Sequence, residues 1–227
     1  MGDALKNSDE IKAMFARIAR AYDVNNRLHT LLRDQAWRRR MVALAGISPG
    51  QSVLDAACGT GDVAVIVRRR GAGRVVGLDF CEQMLDVARW KHAGLNIEWR
   101  LADATALPFD AADFDVVTIA FGLRNIPQPQ TALAEFHRVL RPGGRLMVLE
   151  LGPTTNGIFR WCFERIMPRT AGLIARDRAA YQYLCDSMRA YKTPEELSAM
   201  IAQAGFTETR SWPLTFRVGA IYRGVKP

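Results

Sequence analysis

The sequence predicts an α/β fold, a seven-stranded and mostly parallel sheet with helices on both faces, and three observations carry that expectation. From residue 52 onward, short apolar runs rich in β-branched residues alternate with segments of helical periodicity. Strands buried on both faces and crossed by helices leave this pattern. A glycine-bracketed turn joins the first run to its helix, and acidic residues end the first two runs and follow the third.

At the N-terminus, Ser8 with Asp9 and Glu10 opens a helix, which Ile11, Phe15, Ile18, Ala19 and Tyr22 continue on one face. A second helix is expected over about 31–45, stopped by residues 46–50, which contain Pro49. Strands then follow at 52–56, 74–78, 97–101, 114–120 and 145–151, with helices at 62–70, 81–91 and 131–140. Pro142, Gly143 and Gly144 are expected to close the last of these helices. Residues 152–192 break the rhythm and read as a helical insertion. Thr193, Pro194 and Glu196 form a capping-box signature that starts a helix stopped by Gly205. Strands at 206–213 and 218–224 finish the sheet.

Composition fits a folded domain of 227 residues, with 49% hydrophobic and 24% charged residues. Cys58, Cys81, Cys162 and Cys185 are widely spaced, with no CxxC pair, so free thiols in the cytosol are expected and no zinc site. The opening MGDALKNSDE lacks an apolar core, so no signal peptide is expected. No stretch reaches the roughly 18 apolar residues of a membrane span. The net charge of +8 is distributed as +4 over residues 1–50, −1 over 51–157 and +5 over 158–227. Basic ends of this kind are either solvated surface or an attraction to a membrane, a nucleic acid or an anionic substrate.

The chemistry is expected in VLDAACGTGD, residues 53–62, where Asp55 ends a strand and Gly59, Thr60 and Gly61 lead into a helix. Glycines there leave bare backbone against which a ligand can lie. Asp79 and the adjoining Phe80 end the second strand, where a carboxylate can accept both hydroxyls of a ribose. Asp103, next to Ala104, could accept an adenine amino group. Each residue also has a purely structural reading: Asp79 with Glu82 as a capping box, Thr60 as an N-cap. In series they describe a nucleoside site. A dinucleotide would need a third glycine near the helix N-terminus for its pyrophosphate, but that position is Ala64. A sulfonium ligand, S-adenosyl-L-methionine, matches Asp55 better at its amino-acid end, and no metal is expected.

The chain resembles the ubiquinone and menaquinone biosynthesis C-methyltransferases, which have a Rossmann-like class I methyltransferase fold. The matching segments are FARIARAYDVNN (15–26), Trp37, VLDAACGTGD, VVGLDFCEQML, ADATALPF, FGLRNI (121–126), ALAEFHRVLRPGGRLMVLEL, YQYLCDSMR (181–189) and AGF (204–206). The resemblance implies methyl transfer to a ring carbon of a polyprenylated quinol, with cofactor contacts at Thr60, Asp79, Asp103 and Ala104. It further implies that Tyr22, Arg124 and Asn125 face the reacting ring. Arg124 would steady a phenolate, Asn125 would orient the ring, and Tyr22 would relay or accept the proton. Ala120 stands at a cofactor position where this family usually has Ser. Thr30, Leu32, Tyr191, Lys192, Phe216 and Arg217 also depart from the family pattern, all in the acceptor half.

The domain reading that follows is a helical cap on the substrate side at 1–50 and a cofactor-binding core at 51–227 with the insertion at about 152–192. Within the insertion, Ile158, Trp161, Cys162, Phe163 and Ile166 alternate with Arg160 and Arg165. Such a stripe could rest on the inner face of a membrane and admit a prenyl tail, or serve as core or as a homodimer contact. Two other functions stay open: methylation of another phenolic, terpenoid or natural-product acceptor, and a cofactor-binding subunit without activity. A nucleic-acid methyltransferase is disfavoured because FGLRNIP replaces the base-reading loops expected after the fourth strand.

Overall fold

The computed structural model describes residues 8–19, 22–30, 32–153, 157, 186–188 and 190–227. Three helices come first: α1 (Ser8–Ile18), α2 (Tyr22–His29) and α3 (Asp34–Ala45). The expected single N-terminal helix through Tyr22 is thus two helices, and the next begins at Asp34 instead of about 31. Leu32 explains the late start, because its φ of 62° is left-handed and no α-helix continues through it.

The βα units follow as β1 (Ser52–Ala56), α4 (Asp62–Arg69), β2 (Arg74–Asp79), α5 (Glu82–Lys91), β3 (Glu98–Leu101), β4 (Phe114–Ala120), α6 (Pro129–Val139) and β5 (Leu140–Leu151). α7 (Pro194–Gln203), β6 (Thr207–Pro213) and β7 (Gly219–Val225) close the chain. The sheet order is β3-β2-β1-β4-β5-β7-β6. Neighbours from β3 to β5 run parallel, whereas β7 pairs antiparallel with both β5 and β6. This is the seven-stranded, mostly parallel sheet that the alternation of runs predicts.

Strand side chains alternate between two cores with the period of two that a pleated sheet imposes. Leu54, Val117, Ile119, Leu146 and Val148 face Leu133 and Phe136 of α6 and Leu197 and Ile201 of α7. Val53, Val116, Met147 and Leu149 face Trp37, Met41 and Val42 of α3 and Val63 and Val67 of α4. Each large apolar side chain buried in this way contributes about 1.5–3 kcal/mol relative to exposure. α3 therefore belongs to the helical layer of the sheet, while α1 packs on α5, with Ala19 against Cys81 and Met84.

Two details of sequence logic come out as expected, and one does not. Thr193 and Glu196 cap α7 reciprocally, the Thr193 hydroxyl accepting the Glu196 amide at 3.3 Å and the Glu196 carboxylate accepting the Thr193 amide at 2.7 Å. Gly46 ends α3 in the left-handed conformation. Pro142, Gly143 and Gly144, however, lie inside β5. Between Phe114↔Leu140 and Val116↔Arg145 the register slips, and the displaced backbone is met by the C-terminus: Gly143 donates to the Lys226 carbonyl and Lys226 donates to that of Gly144. Pairing with a distant segment supplies the hydrogen bonds that a loop would otherwise take from water.

Strand order reverses between β1 and β4, and in open α/β sheets the crevice beyond the strand ends at that point is where ligands bind. Residues 158–167, with the apolar stripe, and the YQYL segment lie outside the described residues, as does most of the expected insertion. No helix among the described residues is long and apolar enough to cross a membrane.

Candidate functional site

At this reversal lies a cavity of about 690 Å³, open to solvent on one side. Gly59, Asp79, Phe80, Asp103, Ala104, Ala120, Tyr22 and Asn125 line it together, so eight of the twelve site residues expected from sequence meet in one place. Phe15, Met84, Phe121, Ile126 and Pro127 supply apolar walls. A second cavity of about 310 Å³ adjoins it, sharing Tyr22, Ala57, Gly59 and Ala120 and adding Asp55, Thr60 and Arg38. Gly61 and Arg124 line neither.

The glycine turn is built under strain. Ala57 at φ 49° and Phe121 at φ 59° are both left-handed, a conformation that costs non-glycine residues of order 1–3 kcal/mol and that gathers at functional sites. A Cβ on Gly59 would project to 3.8 Å from the Tyr22 ring, so its absence keeps backbone bare across the cleft. Gly61 departs from the expectation of a ligand-facing glycine. A Cβ there would stand 2.5 Å from the Trp99 ring, so its bareness accommodates packing and not a ligand.

Asp79 is not a helix cap. One of its oxygens accepts the Gly59 amide at 2.8 Å and the other the Cys81 amide at 2.9 Å. Phe80 supplies a third backbone hydrogen bond, and a carboxylate has about four lone-pair sites, so acceptor capacity remains for a ribose hydroxyl. Burial raises its pKa to about 6 against the lowering effect of those amides. Asp55 is more deeply enclosed: it accepts the Thr118 hydroxyl at 2.7 Å and the Ala64 amide at 3.1 Å, yet burial still pushes its pKa to about 7. A cationic ligand group would relieve both. On Asp103, Oδ1 accepts the amide and hydroxyl of Thr105, while Oδ2 has no partner among the described residues.

Thr60 is not the N-cap of α4, a place that Gly61 takes. Its hydroxyl donates to Asp23 of α2 at 2.6 Å, and Lys91 at the end of α5 pairs with both Asp23 and Asp62. This cross-link fastens α2 over the glycine turn. Tyr22, at the start of α2, meets the Phe15 ring edge-on at 5.9 Å; burial raises its pKa, so at neutral pH it keeps its proton.

Arg124 and Asn125 lie in a short 3-10 turn, Leu123–Asn125, after β4. Both donate to the Phe121 carbonyl, at 3.0 and 3.2 Å. Asn125 reaches the cavity, but the Arg124 guanidinium turns away and forms an ion pair with Glu150, with side-chain exposures of 6% and 1%. Its charge is therefore met by Glu150 inside the protein.

Sequence reasoning missed Arg38, Thr118, Glu150 and the Lys91 cross-link. Arg38 sits in the run Arg38–Arg40, which reads as surface charge, although Asp34 four residues earlier hinted at a partner. The other three become visible only when distant elements are brought together.

The model of the ubiE/COQ5 methyltransferase family matches residues 3–226. A demethylmenaquinone methyltransferase of Thermus thermophilus is 47% identical over 221 residues, covering 94% of this chain and 100% of the relative. That of Deinococcus radiodurans is 41% identical over 233 residues, covering 100% and 96%. A ubiquinone/menaquinone biosynthesis C-methyltransferase UbiE of Citrifermentans bemidjiense is 37% identical, covering 97% and 98%. Among solved structures, a SAM-dependent methyltransferase of Thermotoga maritima superposes with a TM-score of 0.69 at 19% identity, covering 95% of this chain and 99% of that one.

Proposed function

Because the chain belongs to the ubiE/COQ5 methyltransferase family and is thus an S-adenosylmethionine-dependent C-methyltransferase, we propose that its acceptor is the ring of a polyprenylated quinol such as demethylmenaquinol. The observation that carries this reading is the meeting of Tyr22 and Asn125 with Asp79 and Asp103 around one largely apolar cavity.

When bound, S-adenosylmethionine supplies an electrophilic methyl group on a sulfonium centre. Asp79 would hold the ribose with its spare lone pairs, Asp103 Oδ2 would accept the adenine amino group, and Phe80 and Ala104 would flank the base. Asp55, Gly59 and Thr60 would border the methionyl end, with Ala120 leaving space where a hydroxyl is common in relatives. Asn125 would orient the acceptor ring so that carbon, methyl and sulfur stand in line, since alignment at about 3–3.5 Å supplies much of the rate in such transfers. Tyr22, kept as a phenol, would donate to the acceptor's oxygen and relay its proton. Arg124 would act as a positioning residue, holding the Phe121 carbonyl and the turn that carries Asn125.

Strained and bulky Phe216 and Arg217, both at positive φ, favour a second reading in which the acceptor is another phenolic or natural-product ring. A radiolabelled methyl-transfer assay against isoprenoid quinols, kept reduced without oxygen, separates the two. Transfer to a demethylmenaquinol is expected; transfer confined to unprenylated phenols would sink the quinol reading.

We place the protein in the cytosol with a peripheral membrane contact, supported by the exposure of Leu32 and Phe216 at 69% and 43%, each followed by an exposed arginine, Arg33 and Arg217. A homodimer is the competing use of the stripe at 158–166. Flotation with anionic vesicles and light scattering distinguish them.

A further inference from the structure

Arg38 lies on α3 at 5% exposure, where an arginine needs partners to offset lost hydration. Nη1 takes both of its carboxylates, Asp34 on the same helix and Asp62 at 3.7 Å on α4. The guanidinium stands 5.0 Å from the centroid of the Phe121 ring, which fixes its plane. Nη2 and Nε have no acceptor among the described residues. Arg38 also lines the smaller cavity, beside Asp55, and among the described residues no other cationic side chain lines either cavity.

The methionyl end of the cofactor is a zwitterion, with one ammonium and one carboxylate group. The wall carries the buried Asp55 carboxylate and one buried guanidinium with free donors, the Asp62 carboxylate beside them being already paired with Lys91, and this is the zwitterion's electrostatic complement. We infer that Arg38 binds the α-carboxylate of the methionyl group, while Asp55 takes the ammonium. This inference rests on the cofactor site described above. Asp34 and Phe121 hold the guanidinium in advance, so little side-chain freedom is lost on binding.

Besides S-adenosylmethionine itself, three ligands test it by calorimetry on the full chain: S-adenosylhomocysteine, 5′-methylthioadenosine, which lacks the amino-acid end, and decarboxylated S-adenosylmethionine, which lacks only the carboxylate. Arg38→Gln should weaken S-adenosylhomocysteine by about 10- to 100-fold, the loss expected for a hydrogen bond between charged groups, and leave methylthioadenosine unchanged. Arg38→Gln should also erase the wild-type preference for S-adenosylmethionine over its decarboxylated form, and Arg38→Lys should restore part of it. Equal weakening of all three ligands in both variants, or undiminished S-adenosylhomocysteine binding in Arg38→Gln, would overturn the inference. Failure of the wild-type chain to bind any of the three would instead overturn the cofactor site beneath it.

Discussion

One carboxylate oxygen of Asp79 accepts the amide of Gly59 at 2.8 Å, so the end of β2 sets the shape of the turn that follows β1. The other oxygen serves the Cys81 amide. Asp79→Asn keeps a single acceptor, and its NH₂ must then face one of these two N–H groups. We expect S-adenosylhomocysteine affinity to fall by about 10- to 100-fold, since bonds to a charged acceptor contribute roughly 1.5–3 kcal/mol. Titration calorimetry measures this, and unchanged affinity would remove Asp79 from the site.

These strand ends are legible in the sequence because a parallel sheet buried on both faces leaves apolar runs with abrupt polar ends. β1 and β4 match their expected bounds, and Asp55, Asp79 and Asp103 stand at or just beyond strand ends, as their positions in the sequence predict. The break between α1 and α2 was not legible, since the apolar spacing passes from Ile11 to Tyr22 without interruption. Nor was the early start of β5, where Pro142 and the two glycines carry a stop signal that pairing with Lys226 overrides. Arg38 was hidden for a similar reason: an arginine is buried only when its partners are, and Asp62 comes from a helix 24 residues further on.

Gly59 and Gly61 look alike in the motif but do different things. Gly61→Ala puts a methyl 2.5 Å from the Trp99 ring at φ 89° and should cost about 1–3 kcal/mol of stability through overpacking. Gly59→Ala meets nothing closer than 3.8 Å, so apart from the strain of a left-handed φ of 55° it should unfold less readily than Gly61→Ala but lose cofactor binding, the methyl occupying the cleft. Urea denaturation with parallel ligand titration distinguishes them. If Gly59→Ala bound the cofactor normally, the bare-backbone role of that residue would be wrong.

The Arg124–Glu150 pair predicts a different signature. Removing one member of a buried pair strands the other charge, so Glu150→Ala should destabilise the chain by about 3–5 kcal/mol. The conservative Glu150→Gln keeps one acceptor oxygen, which can serve the guanidinium, and turns its NH₂ toward the Arg124 amide. It should fold, yet lose up to about 100-fold in kcat if the Asn125 turn shifts by an ångström, with cofactor affinity retained. A drop in cofactor affinity with kcat intact would contradict the positioning role.

Asp55 gives the site a dependence on pH whose sign can be worked out. Its pKa is about 7 in the folded chain against 3.8 ordinarily, chiefly through burial, with the Thr118 and Ala64 hydrogen bonds and then Arg38 opposing and Asp79 reinforcing. Between those two values the folded chain holds a proton that the unfolded chain has released, so this group's contribution to stability falls as pH rises. The cofactor's cationic end needs the carboxylate charged, so affinity must move in the opposite direction. A single group of this pKa makes binding about tenfold tighter at pH 8 than at pH 6, with most of the change below pH 7. Thermal unfolding without ligand should accordingly shift downward across the same interval. Asp55→Asn should flatten both profiles, leaving the smaller contribution from Asp79, whose pKa is about 6. Calorimetry in buffers of different ionisation enthalpy adds a direct count, because ligand binding near pH 6.5 must release a fraction of a proton. If wild-type affinity is flat from pH 6 to 8 and no proton is released, Asp55 does not contact the cationic end, and the charge argument for the cofactor's orientation fails with it.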